Sequence, residues 1–165
     1  MGLAYFEITG GPRLRGNVRL SGAKNAALPI MAAAILCEGE VILHDIPPVS
    51  DVHSLCELLA KLGLDVEWRP DGALRLIARD EMNCKAEYDI VRKMRASICV
   101  LGPLIAKRHR AQVALPGGCA IGDRPVNLHI RAMQQLGADI ELVNGDICAK
   151  VKRLQGTEMF LGGPF

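Results

Sequence analysis

At 165 residues, half of them hydrophobic and with a formal net charge of +2, the chain has the composition of one globular domain with a full core. So balanced a charge, with only 4% aromatic residues, argues against a nucleic-acid partner, and the apolar content excludes a disordered chain. Six cysteines without CxxC spacing, and four histidines outside any HxxxH or HExxH pattern, argue against a disulfide scaffold, zinc or a redox dithiol.

Gly10, Gly11 and Pro12 interrupt the opening segment early, so no secretory signal is read there. Residues 5–8 and 16–20 are strand candidates around that turn. The run Ser21-Gly22-Ala23-Lys24-Asn25 leads into an apolar helix at 26–36. This apolar run, with Pro29 inside it, is too short to span a bilayer, and a soluble, cytoplasmic protein is expected. Residues 40–43 read as a strand, and Ser50 as the cap of a helix reaching 62 and closed by Gly63. A hairpin follows: 65–68, the turn Pro70-Asp71-Gly72, and 73–77. A second helical stretch runs over 88–108, bent near Gly102-Pro103, and its KRHR end (107–110) reads as a solvated helix terminus. Then come a strand at 112–115, a loop at 117–123, a helix at 125–136 closed by Gly137, and strands at 139–142 and 147–151 about the turn Asn144-Gly145. A last strand is expected at 158–161.

The pattern repeats. LGLDVE at 62–67 matches LGADIE at 136–141, an offset of 74 residues that Val52 and Val126 also keep. Each unit reads helix, strand, helix, strand, turn, strand. That is a duplicated α/β subdomain, its period being longer than those of common solenoids. The helix at 26–36 is apolar on every face, which favours helices inside and sheets outside.

The most chemically informative segment is LPGGCAIGDRPVNLH, 115–129. Its glycines allow close backbone approach to a ligand. Arg124 offers a planar fork to phosphate or carboxylate, and Pro125 suits the first turn of a helix that Asp123 could cap. A thiol, a flexible loop, a fixed cation and a helix start therefore lie close in sequence, a plausible place for an anionic substrate and cysteine chemistry. A lone cysteine is more often a small buried hydrophobe, and Cys37, Cys56, Cys84, Cys99 and Cys148 are read that way.

Four features, SGAKNAALPI (21–30), YDIVRKMRASI (88–98), LPGGCAIGDRPVNLH (115–129) and the paired LGxD repeats, closely resemble the N-terminal part of the UDP-N-acetylglucosamine 1-carboxyvinyltransferases, a family of enolpyruvyl transferases. The resemblance covers essentially the whole chain. It implies an inverse α/β barrel, with helices inside and sheets outside, built of six units in two domains, of which this chain would be an incomplete N-terminal fragment. Residues 1–21 would belong to the second domain. Residues 22–165 would form part of the first, with units at about 22–80 and 86–152 and the start of a third.

The resemblance implies transfer of the enolpyruvyl group of phosphoenolpyruvate to the sugar 3′-hydroxyl of UDP-N-acetylglucosamine, with release of phosphate, in peptidoglycan synthesis. It makes Cys119 the catalytic thiol and the residue fosfomycin alkylates. It makes Lys24, Asn25 and Arg124 phosphoenolpyruvate contacts, and Arg95, Arg124, Pro125, Val126, Asn127 and Leu128 contacts of the sugar nucleotide. A cation at a helix start is disfavoured, so Lys24 agrees with an anionic ligand there. Asn127 stands where the family usually has Asp: an amide both donates and accepts, so a hydrogen-bonded contact can persist there, but a role requiring negative charge cannot. Cys99 replaces a larger aromatic found in some members. No metal or cofactor is implied. The family's general base, an aspartate, would lie beyond this chain, so the chain alone is expected to be inactive, and its uncovered apolar surface to favour self-association.

Two other readings stand beside this one. The transferase acting on shikimate 3-phosphate shares the fold, but the GGC loop and the RPVNLH run argue against it. A non-catalytic RNA- or protein-binding module of related repeat fold is the alternative of a different class.

Overall fold

The computed structural model describes residues 5–11, 13–91, 94–115, 126–160 and 162, and all but the side chain of Arg95 among them. Two antiparallel-rich sheets flank a helical core. α1 (Lys24–Ala33) continues as a 3-10 turn, Ala34–Leu36. β1 (Glu40–Leu43), α2 (Ser50–Lys61), β2 (Leu64–Trp68) and β3 (Leu74–Ala78) complete the first unit. β4 (Lys85–Ala86), α3 (Tyr88–Val91), a 3-10 helix (Arg95–Val100) and α4 (Leu101–Arg108) lead to β5 (Arg110–Ala114), α5 (Asn127–Gln135), β6 (Asp139–Val143) and β7 (Asp146–Lys150).

The duplication is a fact of topology. The first sheet has the order β1-β3-β2, and the second contains β5-β7-β6 with β4 added on the β5 edge. In both, the third strand of the unit lies between the other two and is antiparallel to each. β4 is parallel to β5, held there by Lys85 facing Gln112 and Ala86 facing Val113. This strand was not foreseen, because two residues are too few to show a period-two pattern.

Burial follows the expected layering for three helices. Ala27, Leu28, Met31 and Ala32 of α1, Val52, Leu55, Leu58 and Leu59 of α2, and Leu101, Leu104 and Ile105 of α4 are buried. On α2 these recur three and four residues apart, which turns one apolar stripe inward. Strand residues Leu64, Leu74, Leu76, Val113 and Ile147 point into the same core, while Asp65, Arg75, Gln112 and Cys148 beside them are less buried. α5 departs from this pattern: none of its residues is buried, and Ile130 and Met133 pack only partly on the core.

Several local expectations are corrected. Residues 5–11 and 13–20 form no strand, and neither do 158–160. Their sequences are rich in apolar residues, but a strand needs a ladder partner, and Tyr5, Phe6, Ile8, Leu14, Val18, Leu20 and Phe160 all stand exposed. Ser50 is the first residue of α2 and Val49 its cap, without a side-chain bond. The helical stretch after Tyr88 breaks at Met94, whose backbone is extended, and not at Gly102-Pro103. Pro103 sits in the first turn of α4, where a missing N–H costs little. α5 begins at Asn127, with Val126 as its cap residue, so the expected cap Asp123 and the expected first residue Pro125 lie outside the described residues.

The KRHR segment is also not merely a solvated end. Arg108 is buried, and its Nη1 donates to the carbonyls of Leu62 at 2.7 Å and Asn83 at 2.5 Å. It ties the end of α2 to the segment that enters β4. His109 then takes a left-handed conformation (φ 60°) that ends α4 and starts β5.

Candidate active site

The segment before α1 is set by one close approach. A Cβ on Gly22 would lie 1.9 Å from the carbonyl oxygen of Asp45, so only glycine lets this backbone pass the β1–α2 connection. Nearby, Arg19 Nη2 donates to Asp45 Oδ1 at 3.0 Å, an exposed pair that adds little by itself. Ala23 then supplies the carbonyl that accepts from Ala26 and Ala27, and α1 starts at Lys24.

Lys24 Nζ donates to Asp51 Oδ2 at 2.7 Å, with both side chains partly shielded. Asp51 lies in the first turn of α2, where a carboxylate suits the helix dipole. α1 has no acidic residue in its own first turn, so the compensation for Lys24 comes from the neighbouring helix. Asn25 is exposed beside it.

The other predicted residues divide into three groups. Arg95 is the first residue of the 3-10 helix that packs on α1. Val126, Asn127 and Leu128 stand together at the start of α5, Val126 buried and the other two exposed. Cys119, Arg124 and Pro125 lie outside the described residues. Lys24, Asn25, Arg95 and Asn127 thus all occupy the first turns of helices, where backbone N–H groups and partial positive charge favour anions.

The connection holding Cys119 is the one that breaks the repeat. Residues 44–49 join β1 to α2, whereas residues 115–126 join β5 to α5. The second unit spends twice as many residues at the same topological point. Asp51 and the Gly22–Asp45 approach were missed in the sequence. An aspartate in a first helical turn reads as ordinary dipole compensation, and a glycine after a serine reads as a turn.

A cleft of about 390 Å³ crosses the outer face of the second sheet, lined by Lys85, Arg110, Gln112, Glu141, Cys148 and Lys150 among others. It includes none of the predicted site residues. Lys150 there pairs with Asp139 at 3.1 Å, which, with Glu141 nearby, raises its pKa.

The cysteines described are free. Burial pushes the Cys56 thiol up to about 11, and burial also raises Cys99. Two units above the ordinary value, Cys56 holds about a hundredfold less thiolate at neutral pH. Timed iodoacetamide labelling read by peptide mass spectrometry should therefore find Cys56 and Cys99 modified well after the exposed Cys37. Equal rates would mean that the helical core opens on the labelling timescale.

The duplicated unit, helices within and sheets outside, defines a class of repeated α/β fold, and comparison with known proteins agrees. The enolpyruvyl transferase NikO from Streptomyces tendae superposes with a TM-score of 0.71 at 23% identity, over 88% of this chain and 32% of that one. EPSP synthase from Acinetobacter baumannii superposes with a TM-score of 0.62 at 15% identity, over 86% of this chain and 33% of that one. At these identities the likeness is one of fold. Residues 8–163 match the family model of EPSP synthase (3-phosphoshikimate 1-carboxyvinyltransferase), and the chain belongs to that family.

Within it, the chain is 51% identical over 148 residues to the UDP-N-acetylglucosamine 1-carboxyvinyltransferase of Helicobacter hepaticus, covering 90% of this chain and 35% of the relative. The enzyme of the same name from Methylacidiphilum infernorum is 48% identical over 160 residues, covering 97% and 38%. The chain thus spans little more than a third of the length of these relatives. Among the described residues no helix is long and apolar enough to cross a membrane.

Proposed function

We propose that this chain supplies the first part of an enolpyruvyl transferase that moves the enolpyruvyl group of phosphoenolpyruvate to the 3′-hydroxyl of UDP-N-acetylglucosamine, releasing phosphate, in cytoplasmic peptidoglycan precursor synthesis. The observation that supports it most is 51% identity to a relative bearing that activity's name. The family model's own description points to 3-phosphoshikimate as acceptor, but the solved EPSP synthase resembles the chain at only 15% identity.

In this reading Cys119 gives a proton to the methylene carbon of phosphoenolpyruvate as the sugar hydroxyl adds to its C2 and gives up its own proton to a general base. The tetrahedral adduct then loses phosphate while a methyl proton passes to a base such as the Cys119 thiolate, leaving the enol ether. A thiol serves because nearby cations tune its pKa. Lys24 and Arg124 balance the phosphate and carboxylate charge, and Asn25 orients the group by its amide. Arg95, Arg124, Pro125, Val126, Asn127 and Leu128 receive the sugar nucleotide. The same thiol is the site fosfomycin would alkylate. Residues 1–21 belong with a second domain, a reading supported by the exposed apolar side chains of 5–20, and the same surface favours self-association when uncovered.

The test is phosphate release from phosphoenolpyruvate plus UDP-N-acetylglucosamine. The chain is assayed alone and mixed with the separately made C-terminal remainder of the Helicobacter hepaticus relative, each with a Cys119→Ser control. The expected result is silence alone and release on mixing that Cys119→Ser abolishes. Release by the chain alone removes the need for further segments. Release that survives Cys119→Ser removes the thiol from the chemistry.

A further inference from the structure

We propose that Asp51 is a positioning residue for Lys24, presenting its ammonium to the anionic substrate, an inference that rests on the reading of Lys24 as a phosphoenolpyruvate contact. Lys24 carries a flexible stem and stands at the positive end of α1, where nothing on its own helix restrains it. The restraint comes from another element: Asp51 Oδ2 accepts from Nζ at 2.7 Å. Asp51 is itself stabilised where it stands, in the first turn of α2. Lys24 is held across two packed helices, so its position is tied to the core that α1 and α2 share.

The stoichiometry of donors makes this arrangement useful. An ammonium has three N–H groups. Asp51 takes one, which leaves two for oxygens of a phosphate or carboxylate. The lysine side chain is still nearly half exposed, so a ligand can reach it. A carboxylate beside an anion site also repels the anion. If Asp51 were only a counter-ion holding Lys24 while the site is empty, its neutralisation would strengthen anion binding. If it orders Lys24, neutralisation weakens binding. The two roles have opposite signs.

The experiment titrates the ¹⁵N-lysine-labelled chain with phosphoenolpyruvate and follows the Lys24 Nζ resonance, in wild type, Asp51→Asn, Asp51→Glu and Lys24→Gln. Lys24→Gln assigns the signal. Asp51→Asn is expected to move that resonance before any ligand is added. It is also expected to raise the phosphoenolpyruvate dissociation constant roughly tenfold, the size of losing one charged hydrogen bond. Asp51→Glu should recover part of the affinity, and the thermal midpoint should change little in either variant, which a purely structural role would not give. Unchanged or tighter binding by Asp51→Asn overturns the proposal. A wild-type Lys24 signal that ignores phosphoenolpyruvate removes the substrate reading of Lys24, and the positioning role with it. Normal binding by the wild type with an indifferent Asp51→Asn removes the positioning role alone.

Discussion

Replacing Gly63 by alanine is expected to destabilise the fold by about 3 kcal/mol or more, combining left-handed backbone strain with a steric conflict. Gly63 follows the cap of α2 with φ at +88°, a conformation that costs an L side chain about 1–2 kcal/mol. A Cβ there would also lie 2.2 Å from the carbonyl oxygen of Asp80, and that atom cannot swing away as a side-chain tip could. The Gly63 carbonyl accepts from both Arg79 and Asp80 at 3.0 Å, so the two backbones are fastened at the point of conflict. Gly72→Ala is the control: its φ is +81°, but no atom lies within 4 Å of the new Cβ. It should cost only the conformational part, about 1 kcal/mol. Thermal denaturation should lower the midpoint by about 6–12 °C for Gly63→Ala and by about 2–4 °C for Gly72→Ala. Equal shifts would mean that the Asp80 segment yields freely and does not hold the end of α2.

The repeat offers an internal comparison. Gly137 lies 74 residues after Gly63, with φ at +96°, yet its added Cβ would meet nothing closer than Arg153 O at 3.9 Å. The two copies share the backbone turn and differ in how tightly the following chain is packed. That difference explains what the sequence could show. The LGxD matches at 62–67 and 136–141 located both helix ends and the strands that follow, because a left-handed glycine and a two-sided strand leave marks in a few adjacent letters, whereas the order of strands within each sheet was not read from the sequence. The Asn144-Gly145 turn is of the same kind: both residues have positive φ, at 52° and 86°, as a tight hairpin requires.

What stayed hidden depends on residues far apart in sequence. β4 exists because the Cys84 carbonyl accepts from Gln112 N at 2.8 Å, 28 positions later. Arg108 is a buried fastener only because the carbonyls of Leu62 and Asn83 converge on it. The outermost segments failed as predicted strands for the complementary reason: their letters were apolar enough, but no strand among the described residues pairs with them. In the candidate site, Lys24 and Asn25 were legible as a motif, while Asp51 was not. Nothing in the letters distinguishes a first-turn aspartate that serves its own helix from one that reaches a neighbour.

Gly22→Ala is expected to harm function far more than stability. Gly22 has no positive φ requirement, so the effect is steric: a Cβ 1.9 Å from Asp45 O and 3.0 Å from Asp45 C cannot be accommodated in place. Ser21 and Ala23 on either side are exposed, so the segment can move outward without opening the core. That movement shifts Ala23, whose carbonyl starts α1, and with it Lys24 and Asn25. A displacement near 1 Å at a substrate-positioning residue can cost about a hundredfold in rate. In the mixed phosphate-release assay, Gly22→Ala should therefore lose roughly two orders of magnitude, while its thermal midpoint falls less than that of Gly63→Ala. Gly39→Ala, with open space around the new Cβ, should leave the rate unchanged. If Gly22→Ala turned over normally, the contact with Asp45 would not be what places the start of α1. Lys24 would then owe its position to the Asp51 ion pair and the packing of α1 alone.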